Sequence, residues 1–186
     1  NNVCKEKIEK TKIDFQKNKD SSIKKIRPTI GFIGSGNYAS RVLIPSFQKN
    51  NVNFDTIVSS SGLSSYFFGK KFNFESNSTE IKNILENKSI DTVVIATRHN
   101  LHAEQVCLAL KAGKNVFVEK PLAMNIIDAE AMMASAKEND VQLMVGHLLQ
   151  YHPVFVVLRR LVESGELGPL SYVYSNRLSF GKVRSE

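Results

Sequence analysis

The sequence predicts an α/β protein built on a doubly wound parallel sheet. From Ile30 onward, short apolar strands alternate with helical runs, as in the crossover connections of a parallel sheet. The run from Asp91 to Ala96 is continuously apolar and mostly β-branched, which is typical of a strand buried on both faces. A glycine turn, Gly34-Ser35-Gly36, joins the first strand directly to a helix. Six strands with their connections need about 120 residues, the size of one complete domain of this class.

Each element follows from the local pattern of apolar and turn-forming residues. The predicted strands are 29–33, 54–59, a weak strand around Phe72 and Phe74, 91–96, 115–118 and 141–145. The predicted helices are 37–50, a short helical end at 68–70, a helix that begins at Asn77, 101–112 with Gly113 as its C-cap, and one from Asn125 to Asn139.

Capping and proline signals define several helix boundaries. Pro45 should kink the first helix or mark where a second piece begins, because proline lacks the N–H of a helix interior. Asn77 followed by Glu80 has the spacing of an N-cap, and so has Asn125 followed by Asp128.

The chain changes character on both sides of residues 27–146. Residues 1–26 are rich in Lys, Asn and Ser without a clear period, so we expect a polar basic lead-in or linker with at most a marginal helix. After Gly146, Pro153 opens a helix through Val162, and residues 171–179 alternate like an antiparallel strand. We interpret 27–146 as one domain and 147–186 as the beginning of a second, truncated α/β domain.

The positive charge lies mostly outside the predicted domain. Of the formal net charge of +7, residues 1–27 carry +5, and their basic residues alternate with acidic ones, so nucleic-acid binding through this segment is the weakest of the alternatives. Cys4 and Cys107 form neither a disulfide framework nor a metal-binding pattern, and no metal site is predicted. No apolar run approaches the length of a membrane span. These features favour a cytoplasmic protein without a membrane partner.

The glycine turn has the small-residue spacing of a dinucleotide-binding site in a Rossmann-type fold. Gly34 permits a tight exit from the strand, Gly36 lets a pyrophosphate approach the backbone, and Ala39 allows the helix to pack closely on the strand. Unpaired N–H groups at the start of the helix favour phosphate. The cofactor-binding residues predicted here are Gly34, Ser35, Gly36, Asn37 and Tyr38. A turn without a ligand is the alternative.

Polar side chains follow the other predicted strands at their carboxyl ends, where open parallel sheets bind ligands. They are Ser59, Ser60 and Ser61 after the second strand, Thr97, Arg98 and His99 after the fourth, Glu119, Lys120 and Pro121 after the fifth, and His147 after the sixth. Their convergence favours the dinucleotide interpretation.

The end of the second strand bears on the choice between NAD and NADP. An acidic residue about 20 positions past the glycines would bind the ribose 2′-hydroxyl of NAD, but serines stand at 59–61. Lys70 and Lys71, a little downstream, could accept a 2′-phosphate or be solvated helix-end charges. The predicted cofactor is NAD or NADP, with a slight preference for NADP.

Several motifs together resemble the glucose–fructose oxidoreductase/inositol dehydrogenase/MocA family over about residues 28–180. They are Gly34-x-Gly36-x-x-Ala39, Ala96-Thr97-x-x-x-Leu101-His102-Ala103, Ala112-Gly113-Lys114, and Val118-Glu119-Lys120-Pro121-Leu122-Ala123. The resemblance implies an NAD(P)-dependent enzyme that transfers a hydride to or from a hydroxyl or keto carbon of a sugar, nucleotide sugar or cyclic polyol. It also implies assembly as a homo-oligomer through the sheet of the second domain.

The resemblance assigns Lys120 as the catalytic residue, beside the nicotinamide and the reacting hydroxyl, with the Lys120–Pro121 bond a candidate cis peptide. The resemblance also implies that Glu119 holds either that lysine or the ribose, and an exposed carboxylate without such a role is the alternative. The loop after the fourth strand lies along the nicotinamide ribose and phosphates, although His102 is as well explained by packing at its helix. Arg98 replaces the family's usual proline and either adds an anion contact or loosens the loop.

His147, Tyr151 and His152 are the predicted contacts beyond the first domain. His147 is expected on the nicotinamide side of the cleft, and Tyr151 and His152 either reach substrate or pack the domain junction. The family's second catalytic group, a histidine in the substrate domain, is not among these residues, so we expect the fragment to be inactive alone. The alternative function is a non-catalytic NAD(P)-binding or sensor protein.

Overall fold

Seven strands form the sheet of the first unit: β1 (Lys12–Asp14), β2 (Thr29–Ile33), β3 (Asn53–Val58), β4 (Ser76–Ser78), β5 (Thr92–Ile95), β6 (Asn115–Val118) and β7 (Leu143–Val145). Their order is β1-β4-β3-β2-β5-β6-β7. All neighbouring pairs are parallel except β1 with β4. Strands β2 to β7 therefore have the 3-2-1-4-5-6 order of a Rossmann fold, which confirms the predicted fold class.

The computed structural model describes residues 11–15, 27–176 and 178, in two units, residues 1–146 and residues 147–186. The helices of the first unit are a π-helical segment (Ala39–Leu43) that continues into α1 (Ile44–Gln48), α2 (Leu63–Lys71), α3 (Lys82–Leu85), a 3₁₀ turn (His99–Leu101) before α4 (His102–Lys111), and α5 (Ile126–Glu138). The second unit contains a 3₁₀ turn (Leu148–Tyr151) and α6 (Pro153–Glu163). Within the described part of the chain, no helix has both the length and the apolarity to cross a membrane.

The helix signals at Pro45 and Asn125 are confirmed. A second helical piece begins at Ile44, with Pro45 in its first turn. The Asn125 side chain accepts the Asp128 N–H at 2.8 Å and donates to the Asp128 carboxylate at 2.7 Å. This reciprocal contact caps α5.

The sheet is buried on both faces, as the sequence of β5 predicted. Val93 and Ile95 pack in a cluster with residues of α3, α4 and α5, whereas Val94 packs in a second cluster with α1. Phe32, fully buried in the second cluster, makes edge-to-face contacts at 5.7–5.9 Å. Such ring pairs contribute about 0.5–1.5 kcal/mol each beyond their buried area.

Two predictions in the segment before α3 are wrong. Phe72 and Phe74 are not in a strand: Asn73 between them has φ +59°, and the Phe74 N–H bonds the Gly69 carbonyl at 2.9 Å, so the chain turns at the end of α2. Asn77 is no helix cap, because it lies buried in β4. The Ser78 hydroxyl accepts the Glu80 N–H at 2.9 Å in the turn that follows, and α3 begins at Lys82 without a side-chain cap.

Two predictions at the flanks are also wrong. Residues 12–14 are strand rather than marginal helix, because the exposed edge of β4 offers them backbone partners. No strand is present in the described residues of 171–179, which are 171–176 and 178. A strand needs the backbone of a neighbouring strand, and the described part of residues 147–186 supplies none.

Phe15 anchors β1 to the first unit. Its ring lies edge-on to Tyr66 at 5.6 Å, and a Cβ added to Gly69 would come within 2.6 Å of the ring. Backbone hydrogen bonds from Phe15 to Glu75 (2.7 Å) and from Thr79 to Thr11 (2.9 Å) extend the pairing at both ends of β1. The absence of a side chain at position 69 therefore makes room for the lead-in.

We predict that Gly69→Ala releases β1 because the new methyl group occupies the space of the Phe15 ring. The expected loss is about 1–3 kcal/mol of unfolding free energy, as for other overpacked sites. In a Phe15→Ala background the same change should cost much less, since the obstructing ring is gone and alanine favours a helix over glycine. Denaturant unfolding of wild type, both single variants and the double variant measures this double-mutant cycle. Hydrogen exchange of the Phe15 and Thr79 backbone amides should be faster in Gly69→Ala than in wild type. Equal costs in both backgrounds would contradict the packing.

Candidate cofactor and catalytic site

The ends of five neighbouring parallel strands are in register. Ile33 pairs with Val58 and with Ile95, Ile95 pairs with Val118, and Val118 pairs with Val145. The residues that follow these strands therefore lie along one edge of the sheet. This edge carries the glycine turn, Ser59, Thr97, Glu119 and Gly146, and it includes the switch point where β2 and β5 lead in opposite directions.

Gly34 is the tightest point of this edge. Its φ is +100°, and an added Cβ would lie 2.5 Å from the Ala96 carbonyl oxygen. Its N–H donates to the Val58 carbonyl at 2.9 Å, so the turn is bonded to β3 while it packs against the end of β5. Ala39 is only 1% exposed, in keeping with close packing of helix on sheet.

The backbone after Gly34 fits a phosphate group. No atom lies within 4 Å of the Cβ position of Gly36, so a ligand can approach the main chain there. Ser40 donates the first helical bond to the Gly36 carbonyl, which leaves the N–H groups of Asn37, Tyr38 and Ala39 without an acceptor inside the helix. Such N–H groups at a helix start attract anions. These observations support a dinucleotide cofactor at the turn.

Two serines of the predicted site already have intramolecular partners. The buried Ser35 hydroxyl lies 2.6 Å from the Ser64 hydroxyl in α2, and it connects the turn to that helix. The Ser59 hydroxyl accepts the Ser65 N–H at 3.2 Å and supports the start of α2. Ser60 is exposed at the same edge.

Lys70 and Lys71 do not lie beside these serines. They occupy the last turn of α2, whose nine residues span about 13 Å away from the loop at 59–61. Lys70 lies over the Tyr66 ring at 4.5 Å and Lys71 over the Phe72 ring at 5.3 Å. These positions favour the solvated helix-end alternative, and these lysines give no support to NADP.

The loop after β5 presents Arg98 and His99 to solvent. The Thr97 hydroxyl donates to Gln105 of α4 at 2.7 Å, a partner that sequence patterns did not indicate. Arg98 has φ −70° and ψ +143°, within the range of the proline that the family usually has here. Its carbonyl accepts the Leu101 N–H at 2.9 Å. Arginine therefore adds a cation at a backbone conformation that proline can also adopt.

His102 is 1% exposed and contacts two loops. Its Nδ1 lies 2.7 Å from the Pro121 carbonyl oxygen, and its Nε2 lies 3.3 Å from the Thr97 carbonyl oxygen. The packing alternative thus describes its ring, which lies beneath the loops rather than at their surface.

Glu119 is a buried carboxylate at the end of β6. It is 8% exposed, and its Oε1 has no hydrogen-bond donor among the described residues. Burial raises the pKa of Glu119, and the backbone N–H and charge of Lys120 partly oppose that rise. The pKa of Tyr38 is raised as well, by burial and then by the charge of Glu119. The Glu119 charge therefore acts on Tyr38, the residue that precedes the π-helical segment.

Lys120 and Gly146 flank Glu119. Lys120 is exposed, and its bond to Pro121 is cis, as anticipated. An added Cβ on Gly146 would lie 2.8 Å from Glu119 Oε1, so a side chain there would displace the carboxylate from its present position. The sequence signal for this role was a glycine directly after a strand.

The remaining predicted residues lie in the second unit. His147 and Tyr151 are exposed within it. His152 caps α6, since its Nδ1 accepts the Val154 N–H at 3.3 Å.

Alanine substitution should have different effects on stability at the two glycines of the turn. Gly34→Ala is expected to cost several kcal/mol of unfolding free energy, because positive φ and a backbone clash act together. Gly36→Ala should leave stability within about 1 kcal/mol of wild type, because its Cβ meets open space. Thermal and denaturant unfolding of both variants provide the measurement. A Gly34→Ala protein as stable as Gly36→Ala would disprove the close approach to Ala96.

Glu119→Gln should stabilise the domain at high pH. A carboxyl group whose folded-state pKa exceeds its unfolded value opposes folding progressively as pH rises through the folded pKa. We therefore expect a larger unfolding free energy for Glu119→Gln than for wild type at pH 8, and a smaller difference near pH 4, about the ordinary pKa of glutamate. Glu130→Gln, at an exposed position in α5, is the matched control. A difference that does not change with pH would refute a raised pKa.

Comparison with known proteins identifies relatives with the same architecture. Residues 29–147 match a sequence model described as an oxidoreductase family with an NAD-binding Rossmann fold. A 1,5-anhydro-D-fructose reductase of Ensifer adhaerens is 28% identical over 138 residues, which are 74% of this chain and 41% of that protein.

Two solved structures are also similar. A 3-ketoreductase from Actinomadura kijaniata, in complex with TDP-benzene and NADP, is 28% identical with a TM-score of 0.69, over 75% of this chain and 44% of that one. A levoglucosan dehydrogenase in complex with NADH and levoglucosan is 25% identical with a TM-score of 0.69, over 76% and 40%. The chain thus spans less than half the length of these relatives. By its sequence over residues 29–147 and its fold, it belongs to the glucose–fructose oxidoreductase/inositol dehydrogenase/MocA family of NAD-binding oxidoreductases.

Proposed function

We propose that this chain is the cofactor-binding part of an NAD(P)-dependent oxidoreductase that acts on a hydroxyl or keto carbon of a sugar, nucleotide sugar or cyclic polyol. The observation that carries the proposal is the common register of the strand ends, which brings the glycine turn and Glu119-Lys120-Pro121 to one edge. The levoglucosan bound to the similar levoglucosan dehydrogenase and the TDP-benzene bound to the similar 3-ketoreductase support the substrate class.

The cofactor would be held mainly by backbone groups. The N–H groups of Asn37 and Tyr38 would bind the pyrophosphate beside Gly36, with Ser35 kept in place by Ser64. Thr97, Arg98, His99 and His147 are the remaining proposed cofactor contacts. When bound, the nicotinamide supplies or accepts the hydride.

Lys120 would handle the proton of the reacting hydroxyl. In reduction its ammonium group donates a hydrogen bond, and then a proton, to the substrate carbonyl oxygen; in oxidation its amine accepts the hydroxyl proton. Its exposure at the site edge suits a group that must reach substrate. Glu119, next to it, would orient Lys120 or bind a ribose hydroxyl through its unpartnered oxygen. Tyr151 and His152 are the proposed substrate contacts of the second unit.

The preference for NADP now depends on the loop after β3 alone. This loop carries Ser59, Ser60 and Ser61 and no acidic residue to bind a 2′-hydroxyl. We therefore retain NADP as the slightly favoured cofactor. We further propose a cytoplasmic location, homo-oligomeric assembly through a substrate-domain sheet, and no turnover by residues 1–186 alone.

A titration with NADPH and NADH, monitored by nicotinamide fluorescence, tests the cofactor site. Saturable binding should be lost in Gly36→Val, whose branched side chain fills the open approach to the backbone, and retained in Lys120→Met. Tighter binding of NADPH than NADH is expected from the serine loop. Failure of a folded wild-type chain to bind either nucleotide would refute the site.

The catalytic step needs the full reading frame that encodes this chain, assayed for NAD(P)H oxidation with keto sugars. Lys120→Met should reduce kcat by about 10²-fold or more, as expected for loss of a general acid. Cofactor binding without turnover on sugars or polyols would favour the non-catalytic alternative.

A further inference from the structure

The ring of His102 lies between the two loops that follow β5 and β6. One ring nitrogen is 2.7 Å from the Pro121 carbonyl oxygen, and the other is 3.3 Å from the Thr97 carbonyl oxygen. Both acceptors are backbone atoms adjacent in sequence to a cation of the proposed site, Lys120 in one loop and Arg98 in the other. The histidine thus contacts the two loops without facing the ligand side.

This contact begins where the sheet ends. The last backbone hydrogen bond between these neighbouring chain segments runs from the Glu119 N–H to the Ile95 carbonyl at 2.9 Å, and beyond it no backbone bond joins the two loops in the described part of the chain. His102, buried at the first turn of α4, continues the connection with a side chain. Gln105, one helical turn later, holds the Thr97 hydroxyl at 2.7 Å.

The proton distribution on the ring follows from its partners. Carbonyl oxygens only accept, so each contact requires an N–H from the imidazole. A neutral ring has one N–H, and the shorter contact assigns it to Nδ1, which then donates to Pro121. The Pro121 bond is therefore the principal connection, and the longer approach to Thr97 is secondary.

We propose that His102 is a positioning residue that fixes the Lys120–Pro121 loop against the Thr97–Arg98 loop through its Nδ1–H. It thereby sets the location of the Lys120 ammonium group relative to the glycine turn. The proposal rests on the proposed function of Lys120, but the connection between the loops can be measured without any catalytic activity.

Two amide variants distinguish the ring nitrogens. The δ atoms of asparagine superpose on the δ atoms of histidine, so His102→Asn can still donate to Pro121. The side chain of His102→Gln is one bond longer and places its amide nearer to Thr97. This variant therefore loses the bond to Pro121, while it buries an amide group just as His102→Asn does. Thr97→Val is the matched control, since it removes the bond to Gln105 and leaves the His102 contacts in place.

The first readout is magnetic resonance of the 186-residue chain. Imidazole ¹⁵N shifts should show His102 protonated at Nδ1. The backbone amide shift of Lys120 should move strongly in His102→Gln, but little in His102→Asn and Thr97→Val. A His102 ring protonated at Nε2 alone would overturn the proposal, and this measurement uses the wild-type chain. Equal changes in the Lys120 amide shift in the two amide variants would also overturn it.

The second readout is turnover of the full reading frame. His102→Gln should lower kcat by about 10- to 100-fold with the KM for cofactor little changed, because misplacement of a reacting group by about 1 Å can cost about 10² in rate. His102→Asn should restore most of that loss. Wild-type kcat in His102→Gln would contradict the positioning role, whereas wild-type kcat in Lys120→Met would instead contradict the proposed function.

Discussion

The close approach of Gly34 to the end of β5 is the constraint on which the site depends. The Ala96 carbonyl oxygen lies where a Cβ of residue 34 would project, so the chain can leave β2 at this point only as glycine. The turn at Gly34 therefore places the start of the following helix, with its N–H groups that lack a helical acceptor, at the switch point between β2 and β5. Because Ile33 and Ile95 are paired, the same register also aligns the loops that carry Arg98 and Lys120.

The buried charged groups at the two edges of the sheet differ in their hydrogen bonds. At the amino edge, Asp55 accepts from Thr56, Asn87 and Ser89, and the Lys114 ammonium group donates to two backbone carbonyls. At the carboxyl edge, Glu119 leaves one buried oxygen without a donor in the described part of the chain. A buried carboxylate costs free energy unless it is bonded. The first arrangement stabilises the fold, whereas the second leaves binding capacity for a ligand.

Most of the sheet and part of the site could be predicted from the sequence because they depend on local or periodic signals. Strand β2, the glycine turn and the cap at Asn125 each follow from a few adjacent residues. Errors arose where a distant partner decided the outcome. Asn77 has a good capping pattern, yet it pairs with Ile57 and Ile13 in the sheet. Lys70 is close to the serines at 59–61 in sequence, but the length of α2 separates it from them in the folded chain.

The sequence by itself determined the fold class, the family and the residue types at the strand ends, because hydrophobic period and glycine spacing are properties of short segments. Only the tertiary structure decided which of those residues have partners. In the folded chain, the Ser35 hydroxyl lies within hydrogen-bond distance of the Ser64 hydroxyl, and the His102 ring lies between two carbonyl groups. Glu119 is buried beside Gly146. The physical reason is that burial and hydrogen bonding depend on segments brought together from across the chain, and no pattern within a segment contains that information.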